Sequence, residues 1–184
     1  MQCFKTYIPS IIIIAFLSCG TPKYVLNDQF KNKKGTTEMA VLIINTDKTI
    51  NADVTQKVAT IYKSYQGYNT TSSLLSKQFI TDGLFDKVFA SEKFNFSKEN
   101  IKNYADYICL GKLTTEITSS TLENGMLKAT AILKIKIVST SNGAAINNFT
   151  KDAVGIGFSK RQAINVAIEN IINSLKWHSK SKIW

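Results

Sequence analysis

From residue 38 onward the hydrophobic positions of this chain switch between two periods, and the switches mark out successive elements. Met39-Ala40-Val41-Leu42-Ile43-Ile44 is an unbroken apolar run of strand length, the pattern of a strand covered on both faces. After Asn51 and Asp53, both suited to a helix N-cap, Val54, Val58, Ala59, Ile61, Tyr62 and Tyr65 recur at helical spacing until Gly67 and Asn69 interrupt them. Leu74, Leu75, Gln78 and Phe79 give a second helical face, stopped by Asp82-Gly83. Val88-Phe89-Ala90 reads as a short strand, and Ser97 to Tyr104 as a short helix capped by Ser97.

The next block has the two-residue period of strands. Tyr107 to Ile117 and Lys128 to Val138 flank Glu123-Asn124-Gly125-Met126, a hairpin signal. In the second arm Ala129, Ala131, Leu133, Ile135 and Ile137 alternate with Lys128, Thr130, Ile132, Lys134 and Lys136, giving one apolar face and one basic face. A strict two-residue turn at Asn124-Gly125 would set Glu116 opposite Leu133 on the apolar face, so a bulge or a longer loop is expected. Asn142-Gly143 marks another turn, and Ile146 to Gly157 returns as a further strand carrying Gly155 and Gly157.

Ser159-Lys160-Arg161-Gln162 has capping-box form, and Ala163, Ile164, Ala167, Ile168, Ile171, Ile172 and Leu175 line one stripe behind it. The order strand, helix, strand, helix, three strands, helix predicts a single α+β domain: a mixed, mostly antiparallel sheet of about five strands with helices packed on one face.

The first part of the chain has a different pattern. Lys5 precedes an apolar run from Tyr7 to Leu17, which contains Pro9 and Ser10 and ends at Cys19. That run is shorter than the ~20 residues of a membrane-spanning helix and has the layout of a secretory signal. Phe16-Leu17-Ser18-Cys19 resembles the lipobox of bacterial lipoproteins, in which a small residue precedes the cysteine that receives diacylglycerol. Phe16 and Leu17 depart from the usual residues of that motif, whereas Ser18 conforms. The resemblance implies cleavage before Cys19 and acylation there; Gly20 in place of Asp implies sorting to the outer membrane. Pro22, Asn27, Asp28, Gly35 and the cluster Lys31, Lys33 and Lys34 show no sustained period. The expected organisation is thus a signal peptide over 1–18, a lipidated tether over 19–37, the α+β domain over 38–178 and a basic tail over 179–184.

The formal charge of +10 suits anionic lipid headgroups, anionic cell-wall polymer or acidic proteins, or belongs to a solvated surface. Nucleic acid is not expected for an exported chain with dispersed basic residues. With Cys3 in the signal and Cys19 as the lipidation site, Cys109 is left in an apolar stretch, where a buried small hydrophobe is the plainer reading than a reactive thiol.

Three segments further resemble a group of periplasmic proteins that includes the curli-secretion lipoprotein, the lipoprotein activator of a penicillin-binding protein and the amino-terminal domain of TolB. They are Phe79-Ile80-Thr81-Asp82-Gly83-Leu84-Phe85 before Val88-Phe89, Ala105-Asp106-Tyr107-Ile108-Cys109-Leu110-Gly111-Lys112-Leu113, and Gly155-Ile156-Gly157 leading to Ala163 and Ala167. The resemblance implies the α+β fold and an envelope setting. The long lipid-facing hairpins of the curli channel have no counterpart here.

Marked phosphate, zinc, hydrolase and redox motifs are absent from the sequence, so no catalytic residue, metal or cofactor is assigned. His178, the one histidine, reads as a tail residue, and Asp106 and Glu116 are not spaced as an acid/base pair. Gly155-Ile156-Gly157-Phe158-Ser159 before a helix suits an anion or, more simply, tight strand-to-helix packing. Tyr62, Tyr65 and Tyr68 suit either a sticky surface or partial core burial.

Two functions are therefore expected from different classes. The first is a non-enzymatic envelope adaptor or assembly factor with a protein partner, oligomerisation being left open. The second is a binding module for anionic cell-wall polymer that uses Lys128, Lys134 and Lys136.

Overall fold

The computed structural model describes residues 37–72, 75, 77–96, 101–118 and 125–180, with side chains to residue 176. The signal and tether expected over 1–36 lie outside the described residues. Inside the sheet runs β1 (Glu38–Asn45), whose even residues Ala40, Leu42 and Ile44 and odd residues Met39, Val41 and Ile43 enter two separate cores. A strand apolar at every position is stable only where both faces are covered, and here they are.

Asn51 caps α1 (Ala52–Gln66) by accepting from Val54 N at 3.1 Å, and Gly67, at φ 73, ends it in the left-handed region. The three-residue β2 (Asn69–Thr71) follows and pairs parallel with β1. It is short and polar, and the sequence pattern reveals it only as a break in the preceding helix.

Two short helices come next, α2 (Lys77–Thr81) and α3 (Leu84–Ala90). Val88-Phe89-Ala90, expected as a strand, is the end of α3. Leu84, Phe85 and Val88 bury one face at helical spacing, and a three-residue apolar run cannot distinguish that period from a strand's. Leu74 and Ser97 to Asn100 lie outside the described residues; Ile101–Asn103 forms a 3₁₀ turn.

The chain then builds β3 (Tyr107–Thr118), β4 (Leu127–Ser139) and β5 (Ala145–Gly157), and closes with α4 (Lys160–Lys180), which includes position 178. Sheet order is β2-β1-β3-β4-β5, with β1 parallel to both neighbours and β3, β4 and β5 antiparallel. The expected five-stranded mixed sheet of an α+β domain is present.

Its longer helices, α1 and α4, share one core with the odd residues of β3 and β4. The short α2 and α3 add a cover on the opposite face, over Ala40, Leu42, Ile108 and Leu110. Cover on that second face is supplied by the segment that connects β1 to β3, because a parallel pair needs a crossover.

The expected longer loop between β3 and β4 is borne out. Thr118 pairs with Lys128, so Glu116 faces Thr130 rather than Leu133, and Leu113 meets Leu133 in the α4 core. A bulge between Ile137 and Val138 shifts the start of β5.

At the far end, Gly155 and Gly157 let α4 rest directly on the strand. A Cβ at Gly155 would stand 2.1 Å from Ala163 O and 2.3 Å from Ala167 N. Ser159 accepts from Gln162 N at 3.2 Å while Gln162 Oε1 accepts from Phe158 N at 2.9 Å, which is capping-box chemistry displaced by one residue.

Candidate functional site

The outer half of the sheet leaves the face opposite α4 open. Its rows run Thr118–Lys128–Ile156, Glu116–Thr130–Val154, Thr114–Ile132–Asp152 and Lys112–Lys134–Thr150 across β3, β4 and β5. Val154 and Ile156 are 41% and 46% exposed, and Phe158, next along the chain, is 73% exposed. The residues expected to form a basic face fall here, though not as three equivalent cations.

Lys134 is exposed and Lys128 half-buried. Lys136 is buried: its ammonium donates to Phe89 O at 3.0 Å and also to Ser91 O, at the C-terminal end of α3. A cation is favoured there by the carbonyl end of the helix. Burial lowers the Lys136 pKa below 10.5, against an opposing pull from Glu92. Its period-two position does lie on the face of β4 opposite α4, but α3 covers that end of the face. Lys136 is therefore not available to a polymer.

The two remaining lysines share the surface with Glu116 and Asp152, so the face has mixed rather than uniformly basic charge. Lys112, on the same face, bonds Asp86 at 2.8 Å and lies 5.1 Å from the Phe89 ring centre. Asp86 also takes Lys48 at 2.9 Å, and these lysine hydrogen bonds hold its carboxyl below the ordinary value. The sequence pattern gave no signal for this cluster, because its members come from three separate segments.

Other candidates resolve into structural roles. Cys109 is fully buried, and burial pushes its thiol up to about 12, so the thiolate needed for reactivity does not form near neutrality. Asp106 accepts from Glu38 N at 2.8 Å and ties the start of β1 to β3. Glu116 stands ten residues further along β3, roughly 33 Å at strand rise, so the two carboxylates are not brought together. Tyr62 is core, its hydroxyl pKa raised first by burial, and packs edge-on against Tyr68 at 6.3 Å, which in turn meets Tyr107 at 5.6 Å. Cys19 and the His178 side chain lie outside the described residues. Among the described residues, no three His, Cys, Asp or Glu side chains gather as a metal site.

Two concave regions have distinct chemistry. Between α1 and α4 a hollow of about 240 Å³ is bridged by Lys57, which pairs with Asp53 at 2.8 Å and with Glu169. At the end of the sheet where the chain enters β1, a cavity of about 450 Å³ is lined by Lys93, Phe94, Phe96 and Lys102 and by the β4–β5 turn.

No family model matches this sequence, and no curated protein does. Among solved structures, the hypothetical protein CT253 from Chlamydia trachomatis is similar with a TM-score of 0.55 and 8% identity, covering 79% of this chain and 96% of that one. Lipoprotein GNA1162 from Neisseria meningitidis gives a TM-score of 0.44 at 15% identity, covering 76% of this chain and 97% of that one. A PelC dodecamer from Paraburkholderia phytofirmans gives 0.44 at 16%, covering 79% of this chain and 89% of that one. The CT253 likeness establishes a shared fold across nearly the whole of that protein. The motifs that resemble the curli-secretion and TolB group sit at the α2–α3 turn, in β3 and at the β5–α4 junction, where they serve packing. What they support is the fold.

Proposed function

We propose that this chain is an exported lipoprotein, acylated at Cys19, whose domain is held on the periplasmic side of the outer membrane and acts there as a non-enzymatic adaptor in envelope assembly. The observation that carries the reading is the arrangement of Lys5, the apolar run and Phe16-Leu17-Ser18-Cys19 ahead of one folded domain. Acyl chains contribute about 0.8 kcal/mol per buried CH₂, so two or more chains anchor a domain stably at a bilayer where one binds only reversibly.

The open face of β3, β4 and β5 suits protein docking: Ile132, Val154 and Ile156 supply apolar contact, and Lys128, Glu116 and Asp152 supply charges of both signs to fix orientation. That mixed charge favours a protein partner over a uniformly anionic polymer, which would meet Glu116 and Asp152 as repulsive groups.

Metabolic labelling with an alkyne fatty acid tests the anchor: label is expected on the wild-type protein and none on Cys19→Ala. A soluble mature protein with no acyl mass would overturn the anchor. For the adaptor role, a photo-cross-linking residue at Ile156 should give a discrete cross-linked species in cells, whereas one at Lys63 on α1 should not. Identical patterns at both positions would count against this face.

A further inference from the structure

The cavity at the entry end of the sheet has a construction that the adaptor reading does not use. Residues 92–94 are stitched to the β4–β5 turn: Phe94 N donates to Gly143 O at 2.9 Å, Ala145 N to Glu92 O at 3.2 Å, and Lys93 bridges Ala144. Gly143, at φ 70, permits this closeness, since a Cβ there would stand 1.7 Å from Phe94 O. The wall is therefore fixed by backbone rather than by mobile side chains.

Onto that wall the fold places hydrogen-bond donors and positive charge. Lys93 and Lys102 are the charged residues lining the cavity among the described residues, and neither is in an ion pair there. Asn142, which lines the cavity, accepts from Ala144 N at 3.0 Å through its side-chain oxygen, so its amide nitrogen is the group it has left to donate. Ser141 Oγ shares a 2.9 Å hydrogen bond with Ser139 Oγ and keeps further capacity. Half-buried Phe94, edge-on to the buried Phe96 with centroids 4.9 Å apart, forms an apolar side. Among the described residues, two ammonium groups outside any ion pair, an amide N–H and a hydroxyl line one cavity with no carboxylate beside them, which makes a poor site for a cation and a suitable one for a phosphate.

We infer that this cavity binds a phosphate ester on a small hydroxylated body, such as a glycerol or sugar phosphate, with Lys93 and Lys102 on the phosphate and Phe94 against the carbon skeleton. Its volume of about 450 Å³ exceeds a bare phosphate and leaves room for that body. The cavity lies at the end where the chain enters from residue 37: Asp106 N donates to Glu38 O, and Thr140 N, from the cavity wall, donates to Asp106 O, both at 2.9 Å. A phospholipid headgroup and a soluble phosphate ester share this chemistry; only the lipid source rests on the anchored reading.

The test follows backbone amide NMR shifts of the full mature chain carrying Cys19→Ala, so that its outcome does not depend on acylation. One arm titrates glycerol 3-phosphate; the other compares phosphatidylcholine nanodiscs with and without phosphatidylglycerol. The expected result is a saturable shift confined to the cavity lining, at Lys93, Phe94, Lys102, Ser141, Asn142 and Gly143. The affinity should fall about tenfold or more in the double variant Lys93→Gln, Lys102→Gln. It should change by less than about twofold in Lys128→Gln, Lys134→Gln, whose charges lie at the other end of the domain or on the open face. Shifts with glycerol phosphate support the site with a soluble ester as ligand, and shifts only with phosphatidylglycerol discs support it with a headgroup as ligand. No shift with either probe, shifts elsewhere, or shifts unchanged in the Lys93/Lys102 variant would overturn it.

Discussion

β1 and β5 are strands of one sheet, yet they live in different solvents. Seven of the eight residues of β1 are buried; it has a hydrogen-bonded neighbour on each edge and a helical layer on each face. β5 is an edge strand whose odd residues lean on α4 while Asn148, Thr150, Asp152, Val154 and Ile156 face water. The cause is connectivity. β1 joins its parallel neighbours through helical crossovers, which fold back as cover, whereas β3, β4 and β5 are joined by hairpin connections that supply none. Stability is therefore concentrated in the half built by crossovers, and accessible surface is left on the half built by hairpins.

The exposed half also guards itself. Lys151 and Asp152 sit in the middle of the β5 edge, where a second copy paired symmetrically about either residue would set like charges opposite each other. Asn170 Nδ2 donates to Val154 O at 2.8 Å and occupies one of the edge carbonyls.

Four substitutions and one control probe the contrast, the four in falling order of expected effect. Leu42→Ala, in the doubly covered strand, should cost about 3 kcal/mol in urea denaturation, because the surrounding core closes only in part around the void. A loss under about 1 kcal/mol would show that the inner half is not the stability centre. Gly155→Ala, where α4 meets the exposed half, should cost about 2 kcal/mol, since the new methyl meets backbone atoms of α4 that move only if the helix lifts. Gly111→Ala is the milder control: its methyl meets the Cδ1 of Ile43 at 2.4 Å, the far end of a flexible side chain.

Lys136→Met, at the border of the two halves, should cost about 1 kcal/mol at neutral pH by leaving the carbonyls of Phe89 and Ser91 without their ammonium. Its signature is in the pH dependence. The folded pKa of Lys136 is lowered, so between that value and 10.5 the unfolded chain binds the additional proton. Stability arising from this site therefore rises with pH in that window and is flat below it. Parallel denaturation series for wild type and Lys136→Met should converge or diverge only there; curves offset equally at every pH would contradict the buried cation. Ile156→Thr, on the open face, should move stability by less than about 0.5 kcal/mol while abolishing any cross-link made through that face. A large destabilisation would mean that the face is covered in the native protein.

Local pattern was informative wherever one element's own surroundings decide its form. The apolar run of β1, the Asn51 cap and Gly67 stop of α1, the alternation in β4, and the Ser159-Gln162 start and apolar stripe of α4 all stand where their periods place them. Even the β3–β4 register was legible in outline, because keeping Glu116 off the apolar face excluded the two-residue turn. Val88-Phe89-Ala90 and β2 were not legible, being too short for a period to declare itself.

The candidate sites divide in the same way. The signal organisation and Cys19 are properties of a linear string read in order, so the sequence alone proposes them. The basic stripe of β4 was also a sequence pattern, but which of its lysines reaches water depended on α3, a helix more than forty residues earlier that packs over Lys136. The cavity of Lys93 and Lys102 arises only because residues 92–94 cross to the Asn142-Gly143 turn, a contact between segments about fifty residues apart. Period and capping are set by neighbours along the chain; burial and convergence are set by whichever distant segment fills the space above a side chain, and that is decided by tertiary packing.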